Sequence, residues 1–380
     1  MSTPLALAFL PQHAPNELEV IASAGSRELF RANFRCRTGQ ALHPSPDALF
    51  CLGLYPASEI GAPLKLAGEV EASLLGRAKS ISDLFRTWWV GCRNVDVDAR
   101  PRQAQPSAVQ RGAALFFSGG VDSCYSLVDA QQRLSALITL VGVDVPLSDT
   151  EATARLEAMS RDVAERKGLE SIVIETNVAQ VFHPYVSWIE HHGSALAAIG
   201  HMLSRRIDRI LIASSGNEAT WNSPWGSHPA LDPLLGSAQL AVEHHGLVSR
   251  FDKIAAIARD PDLLNILRVC NRCRHNCGQC DKCAFAMRAL EILGFDSAPT
   301  FPSFLPRRGQ MKAVDHAFFT ELERLHEAAM EAGRGDLAPE IEEAMARYQK
   351  REPLRKLGFG RLRSWLRVRR HRYRWQRACA

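Results

Sequence analysis

Six residues about a third of the way along the chain have the types and the order that a phosphate-binding loop requires. Segment 118–123 reads Ser-Gly-Gly-Val-Asp-Ser and lies between an apolar run and a segment with helical periodicity. Its glycines allow the backbone to approach phosphate oxygens, and a helix N-terminus presents free N–H groups. The serines add hydroxyl donors, and Asp122 is suited to hold Mg²⁺. Because the Gly-Lys-Ser/Thr ending of a Walker loop is missing, kinase-like phosphoryl transfer is disfavoured.

A second group of reactive residues is a cluster of cysteines. Cys270, Cys277, Cys280 and Cys283 have the spacing of a metal knuckle. Four thiolates in a tetrahedron suit Zn²⁺, and a site closed by protein ligands is structural. Cys273, the fifth thiol, either replaces Cys270 or stays free, and an iron–sulfur cluster is the alternative to zinc. Such clustering indicates a metal in a reducing, cytoplasmic compartment and argues against a disulfide framework.

The elements around these residues predict an α/β protein with a Rossmann-like, doubly wound parallel sheet. Strands are expected over 113–117, 136–143, 171–175 and 209–214, with helices from 123, 148 and 194 between them. Ligands of such sheets bind beyond the carboxyl ends of the strands. Residues 1–105 are predicted to form a small strand-rich domain, with strands near 18–22, 48–55 and 63–66, a helix over 80–90 and a linker over 100–107.

The remainder of the chain is predicted to be mostly helical. Residues 111–295 form the nucleotide domain, and an irregular segment over 216–236 is long enough to be functional. Helices are expected over 237–244, 252–258, 260–267, 281–293, 318–333 and 339–350, of which the last two form a helical extension over 296–350.

Charge is distributed unevenly along the chain. Residues 351–380 contain eleven Lys and Arg but one acid, whereas the whole chain has a net charge of +5. This basic tail could contact anionic lipid or RNA, and a disordered solubilising end is the favoured interpretation. The sequence contains no run of about 18 apolar residues, so no membrane-spanning helix is predicted. The apolar N-terminal segment lacks the basic region that a signal peptide has. A homodimer is an open alternative to a monomer.

The hexapeptide resembles the PP-loop of the ATP pyrophosphatase superfamily, the adenine nucleotide alpha-hydrolases. In that family the loop holds the pyrophosphate that leaves when a substrate oxygen attacks the α-phosphorus of Mg-ATP. The resemblance implies catalytic roles for Ser118, Asp122 and Ser123. It implies ATP contacts for a larger set of residues at strand ends: Ser118, Gly119, Gly120, Val121, Asp122, Ser123, Val143, Asp144, His192, Gly193, Ser215 and Gly216.

Together with the cysteines, the loop resembles 7-cyano-7-deazaguanine synthase over 111–295. That resemblance implies a structural zinc and a ligase-like reaction, in which a carboxylate is adenylated and then attacked by ammonia or an amine. The carboxylate would belong to a small molecule or a modified residue. Thiolation of a tRNA nucleobase and a non-catalytic ATP-binding module are the alternatives.

The substrate-reading segment departs from the family pattern, so the deazaguanine substrate is not carried over. Here the candidates for substrate contact are Trp221, Trp225, His228 and Asp232. Adenylation also needs cations that neutralise charge on the phosphates. The candidates for that role are Arg268, Lys282, Arg288 and the segment Arg307-Arg308-Gly309.

Overall fold

A single ten-stranded sheet organises the chain. The structure, a computed structural model, describes residues 2–104, 110–270, 272–304, 311–355 and 359–379. The strands are β1 (Leu5–Phe9), β2 (Glu17–Ala24), β3 (Arg27–Cys36), β4 (Leu64–Glu71), β5 (Val97–Arg102), β6 (Ala113–Phe116), β7 (Leu134–Val141), β8 (Glu170–Thr176), β9 (Arg209–Ala213) and β10 (Ala241–His245). Their order across the sheet is β10-β9-β6-β7-β8-β3-β2-β1-β4-β5.

Helices surround this sheet. They are α1 (Pro46–Ile60), α2 (Ala72–Gly76), α3 (Ala78–Trp88), α4 (Val121–Ala130), α5 (Thr150–Arg166), α6 (Val178–Phe182), α7 (Trp188–Met202), α8 (Arg250–Ile257), α9 (Pro261–Leu264), α10 (Asp281–Ile292), α11 (His316–Glu331), α12 (Ala338–Arg355) and α13 (Phe359–Cys379). Short 3₁₀ turns occur at Gln131–Arg133 and Asp232–Leu235.

The half of the sheet from β6 to β10 is parallel and covered on both faces, as the continuous apolar strands predict. Side chains of β6 alternate between two cores: Ala114 and Phe116 pack in the core that contains α7, and Leu115 packs in the core that contains α4 and α8. In chain order these strands have the arrangement 3-2-1-4-5. The order reverses between β6 and β9, and their carboxyl ends therefore border a crevice.

The N-terminal strands continue the same sheet. β3 pairs with β8 in antiparallel register, with Phe34 opposite Thr176, and β1 pairs with both β2 and β4. The strand predicted over 48–55 was wrong, because these residues lie in α1. Residues 48–57 of this helix are apolar on every side, and α1 is buried along nearly its whole length and packs closely against α7. A continuous apolar run has no period that separates a buried helix from a buried strand.

Several other boundaries differ from the sequence prediction. The helix expected over 237–244 is the edge strand β10, in which Val242 is buried between partly exposed neighbours. α7 begins at Trp188, so His192 lies one turn inside the helix and does not open it. α9 is shorter than the helix expected over 260–267. The linker expected over 100–107 overlaps the end of β5, and its residues 105–107 lie outside the described residues.

Residues 359–379 of the basic tail form α13, a helix docked on the body, which corrects the interpretation of a disordered end for this part of the tail. Arg367 of α13 contacts two buried carboxylates, Glu59 of α1 and Glu190 of α7. His371 binds the same Glu59 at 2.6 Å, and Trp375 is buried in the core. These inward side chains recur every three or four residues, which is the spacing of one helix face. Within the described residues, no helix is both long and apolar enough to cross a bilayer.

Arg367→Ala is expected to lower the free energy of unfolding by about 3 kcal/mol, because it leaves Glu59 and Glu190 buried without their cation. Arg370→Ala is the matched control, since Arg370 lies on the exposed side of the same helix. It should change stability by less than about 0.5 kcal/mol. Urea denaturation measures both values, and equal losses for the two variants would contradict the docking described here.

Candidate functional site

The glycine loop turns the chain from β6 into α4. Gly119 has a φ of 70°, which is a left-handed conformation that favours glycine. Ser123 Oγ accepts from the Ser118 N–H at 3.2 Å and donates to the Gly120 carbonyl at 3.2 Å, which fixes the turn. α4 begins after Gly120 without a side-chain cap, so its first-turn N–H groups have no side-chain acceptor. The loop therefore offers an anion the donors of a free helix N-terminus.

A buried lysine neutralises the aspartate of this loop. Lys253 of α8 is 2% exposed and donates to Asp122 Oδ1 at 2.8 Å and to the Ser214 carbonyl at 2.6 Å. Burial by itself raises the pKa of Asp122, but the Lys253 ammonium and then the Arg250 guanidinium outweigh it, so the pKa lies below its ordinary value. Asp122 is therefore charged, and the repulsion it would exert on a phosphate is reduced.

A cavity of about 410 Å³, called the loop cavity here, lies at the crevice between the ends of β6 and β9. Its polar wall contains many of the residues expected to contact ATP: Ser118, Asp122, Ser123, Val143, Asp144, His192 and Ser215. Its apolar wall includes Ile138, Leu140, Leu196 and Ile212. The cavity thus combines an end with hydroxyl and N–H donors, which could contact an anion, with a slot lined by apolar side chains.

Five of the twelve expected ATP contacts are not among the residues that line this cavity: Gly119, Gly120 and Val121 of the glycine loop, and Gly193 and Gly216, which lie elsewhere. A Cβ on Gly193 would lie 2.1 Å from the Gly226 carbonyl, so this glycine serves close backbone packing between α7 and the irregular segment. Gly216 lines a different cavity beside Ser215. His192 does face the loop cavity, with its Nδ1–H donating to the Ile189 carbonyl at 2.9 Å. Burial lowers the pKa of His192, which favours the neutral imidazole.

A second cavity, called the arginine cavity, adjoins the loop cavity at Ser118 and Arg268 and has a volume of about 350 Å³. The backbone N–H of Arg268 donates to the Gly119 carbonyl at 3.0 Å. Arg268 Nε is buried and has no hydrogen-bond partner in the described part of the chain. A buried unpaired donor is costly, so this guanidinium is a ready partner for an anion. Arg272, Cys273 and Arg274 complete the outer wall.

A third cavity of about 310 Å³, the tryptophan cavity, adjoins the loop cavity at Ser215 and Trp225. Trp221 and Trp225 are 50% and 43% exposed, and His228 also lines it. Arg250 and Lys282 bring positive charge to the same space. Three of the four predicted substrate residues are therefore together.

Asp232, the fourth predicted substrate residue, is not part of that wall. It is fully buried and accepts hydrogen bonds from Ser227 Oγ at 2.6 Å, His244 Nδ1 at 2.8 Å and the His228 N–H at 3.1 Å. With its oxygens occupied, Asp232 holds the irregular segment in shape. The sequence could not distinguish these roles, because a carboxylate in a loop suits both.

The predicted knuckle cysteines converge into one cluster that could hold a metal ion. The Sγ atoms of Cys270, Cys277, Cys280 and Cys283 lie within 4.8 Å of one another, with neighbouring pairs at 3.6–3.9 Å. Tetrahedral zinc with bonds of about 2.3 Å requires sulfur separations of about 3.8 Å. Although burial opposes the thiolate, N–H groups of the turn lower the pKa of Cys270 to about 6. Cys273 is outside this set and exposed in the arginine cavity.

The knuckle is continuous with two of the predicted cations. Arg268 precedes Cys270 by two residues, and Lys282 lies between Cys280 and Cys283. Arg288, by contrast, pairs with Glu291 and Glu340 away from the cavities, and residues 307–309 lie outside the described residues.

Lys253 and Arg250 are the site residues that sequence reasoning missed. Lys253 lies four residues before the buried Ile257 and next to the buried Ile254. Its charged side chain is therefore on the buried, apolar face of α8. A lysine at such a position needs a buried partner, and this was the signal available in the sequence. The identity of that partner depends on how α8 packs against α4.

Comparison with known proteins adds no relative: no family model, no curated protein and no solved structure matched the chain. The function must therefore be argued from the cavities and their side chains.

Cys280→Ser is expected to lower the bound metal from about one ion per chain to none, because a structural site needs its four ligands. Cys273→Ser is the matched control and should retain the metal, since Cys273 lies outside the cluster. Inductively coupled plasma mass spectrometry of the purified variants measures the content. Loss of metal from both variants would assign Cys273 to the metal site.

Lys253→Met is expected to lower the free energy of unfolding near pH 7 by about 2–3 kcal/mol, because Asp122 keeps its charge and loses its cation. In the native protein the pKa of Asp122 is lowered, so the pair stabilises the fold above the ordinary carboxyl pKa and weakens as pH falls. In the variant the lowering effect of Lys253 on the pKa of Asp122 is lost, so this carboxyl protonates at a higher pH than in the native protein, and protonation removes its unpaired charge. The stability difference should therefore shrink towards about pH 4.

The double variant Asp122→Asn/Lys253→Met removes both charges. The difference between its free energy of unfolding and that of the native protein should depend less on pH than the corresponding difference for Lys253→Met. Urea denaturation across this pH range measures both. A pH-independent loss in the single variant would show that Asp122 and Lys253 are not coupled.

Proposed function

We propose that the protein is an ATP-dependent enzyme of the PP-loop type, which adenylates a carboxylate and releases pyrophosphate. The observation that carries this proposal is the position of the glycine loop at the switch point of the sheet, between an apolar slot and the guanidinium of Arg268, whose buried Nε has no hydrogen-bond partner among the described residues. A Rossmann-like fold of the adenine nucleotide alpha-hydrolase type is consistent with the strand order 3-2-1-4-5.

The three adjoining cavities support attack at the α-phosphorus. The loop cavity would take the nucleoside, and the arginine cavity would take the β- and γ-phosphates beside Ser118 and Arg268. The tryptophan cavity would then present the acceptor from the side of Ser215 and Trp225. An acceptor on one side and a leaving pyrophosphate on the other is the geometry of in-line displacement.

In this scheme an oxygen of the acceptor carboxylate forms a bond to the α-phosphorus, and the bond from that phosphorus to the bridging oxygen breaks. Pyrophosphate leaves with the electron pair, held by the loop N–H groups, Ser118, Ser123 and Arg268. Ammonia or an amine then attacks the acyl carbon, loses a proton to solvent and displaces AMP. A carboxylate is already a nucleophile, so the protein supplies orientation and charge stabilisation more than proton transfer.

Two metals accompany the proposal. Asp122 and Asp144 are loop-cavity carboxylates that could hold Mg²⁺, which would neutralise phosphate charge. Zinc is the ion that best fits the four thiols, and its role would be structural because the cluster supplies every ligand. Zinc would fix the turn that positions Arg268 and Lys282.

A second candidate function is thiolation of a nucleobase, which one observation favours: the exposed Cys273 lies in the arginine cavity beside Ser118. It requires a persulfide donor that passes its outer sulfur to Cys273, while the enzyme adenylates a base carbonyl in place of a carboxylate. The Cys273 persulfide would attack the adenylated carbon and displace AMP, and a second thiol would then break the S–S bond, which releases the thiolated base and leaves a disulfide. Iron in the cysteine cluster would support thiolation, and zinc would support the main proposal.

Arg268→Ala is expected to slow ATP–pyrophosphate exchange about 100-fold, because it removes a cation from the leaving group. Arg259→Ala is the matched control, since Arg259 is exposed on a turn outside the residues that line the three cavities, and it should retain the native rate. The exchange is measured as incorporation of labelled pyrophosphate into ATP in the presence of a panel of carboxylates, and a second assay with Mg-ATP and ammonia identifies the nucleotide products. Formation of ADP and phosphate alone would sink the proposal, and the absence of turnover with intact ATP binding would favour a non-catalytic module.

A further inference from the structure

Docking of α13 leaves an outward face that the nucleotide site does not use. Its members are spaced four residues apart along two adjacent rows: Trp365, Arg369, Tyr373 and Arg377 in one, and Leu366, Arg370 and Arg374 in the other. Residues four apart lie on the same side of a helix, so these side chains form one continuous surface. Each of them is exposed.

The charge of this face is not compensated by the protein. α13 contains eight arginines and no acidic residue. The inward Arg367 is paired with Glu59 and Glu190, whereas Arg369, Arg370, Arg374 and Arg377 form no ion pair within the described part of the chain. The chain before residue 351 carries a net negative charge. A concentrated positive face on a mildly acidic body selects a polyanion over a neutral partner.

Aromatic rings are interleaved with these charges. The Arg369 guanidinium lies 5.2 Å from the centre of the Trp365 ring, and that of Arg377 lies 6.0 Å from the Tyr373 ring. The rings are 44% and 59% exposed. Rings and guanidinium planes are the surfaces on which unpaired bases stack, and the flanking arginines suit the phosphates between those bases.

The apolar content of α13 argues against a lipid surface. A helix that lies in a membrane interface needs a continuous apolar face. In α13 that face, with Val368, Trp375 and Ala378, is already buried against the body. Among the described side chains of α13, the exposed large hydrophobic residues are Leu362, Trp365 and Leu366 near its N-terminal end and Tyr373 further along, and arginines separate them, so they form no continuous apolar face.

We propose that the outward face of α13 binds a single-stranded nucleic acid, with phosphates on its arginines and bases on Trp365 and Tyr373. This binding is independent of the reaction proposed above. It would bring an unpaired strand to the solvent side of α13. The opposite side of α13 contacts Glu190 of α7, the helix that also contributes Trp188, Ile189 and His192 to the loop cavity.

Fluorescence anisotropy of the full chain tests the proposal with labelled oligo(U), oligo(dT) and a duplex, each of about 12 nucleotides per strand. The single strands should bind more tightly than the duplex, and the ratio of their affinities identifies RNA or DNA as the preferred ligand. Arg370→Ala/Arg374→Ala should weaken binding about tenfold and reduce the salt slope by about 1.4. Trp365→Ala should weaken it about tenfold through lost stacking.

Arg161→Ala/Arg259→Ala is the matched control, because both arginines are exposed and unpaired among the described residues, away from α13. It should retain the native affinity within about twofold, and thermal melting should show that all variants are folded. If the control pair weakened oligonucleotide binding equally, the loss of affinity would follow from net charge alone, and the proposal would be overturned. Preference for the duplex, or binding to phosphatidylserine vesicles without binding to oligonucleotides, would also overturn it.

Discussion

The pairing of Lys253 with Asp122 is the interaction on which the site depends. Lys253 joins three elements: its own helix α8, the loop at the start of α4 and the end of β9 through the Ser214 carbonyl. Both groups are largely removed from water, so each is costly without the other. The pair therefore holds the ends of β6 and β9 at a fixed separation. The crevice between those ends contains the loop cavity, and its shape follows from this constraint.

The cysteine cluster constrains the other side of the crevice. Its four thiols converge at distances that suit one tetrahedral ion, and the chain leaves the cluster directly into Arg268 on one side and α10 on the other. Because Lys282 lies between Cys280 and Cys283 of this cluster, the position of its backbone is tied to the geometry of the cluster. The knuckle thus places cations on both flanks of the glycine loop, although none of its cysteines is needed in the loop cavity itself.

Continuity of the sheet explains why the two ends of the chain meet. β3 pairs with β8, which places α1 beside α7 and leaves Glu59 and Glu190 buried near one another. Two buried carboxylates require a cation, and α13 supplies it in Arg367, with His371 as a second partner for Glu59. Other arginines of α13, which do not pair with these carboxylates, lie on the exposed side of the helix. The basic composition of this segment is typical of a disordered end. In the folded protein its residues instead form a helix with one face packed on the body and one face exposed.

The sequence by itself determined the features that depend on local chemistry. The glycine loop, the strands from β6 to β9 and the four knuckle cysteines could be predicted, because turn geometry, apolar runs and ligand spacing act over a few residues. Tertiary structure decided the features that depend on partners distant in the chain. α1 and β10 took the opposite secondary structure from the one predicted, since packing against α7 and pairing with β9 outweigh weak local preferences. The burial of Asp232 and the ion pairs of Lys253 and of Arg367 also depend on tertiary structure. The role of a charged side chain follows from the group that the fold places next to it.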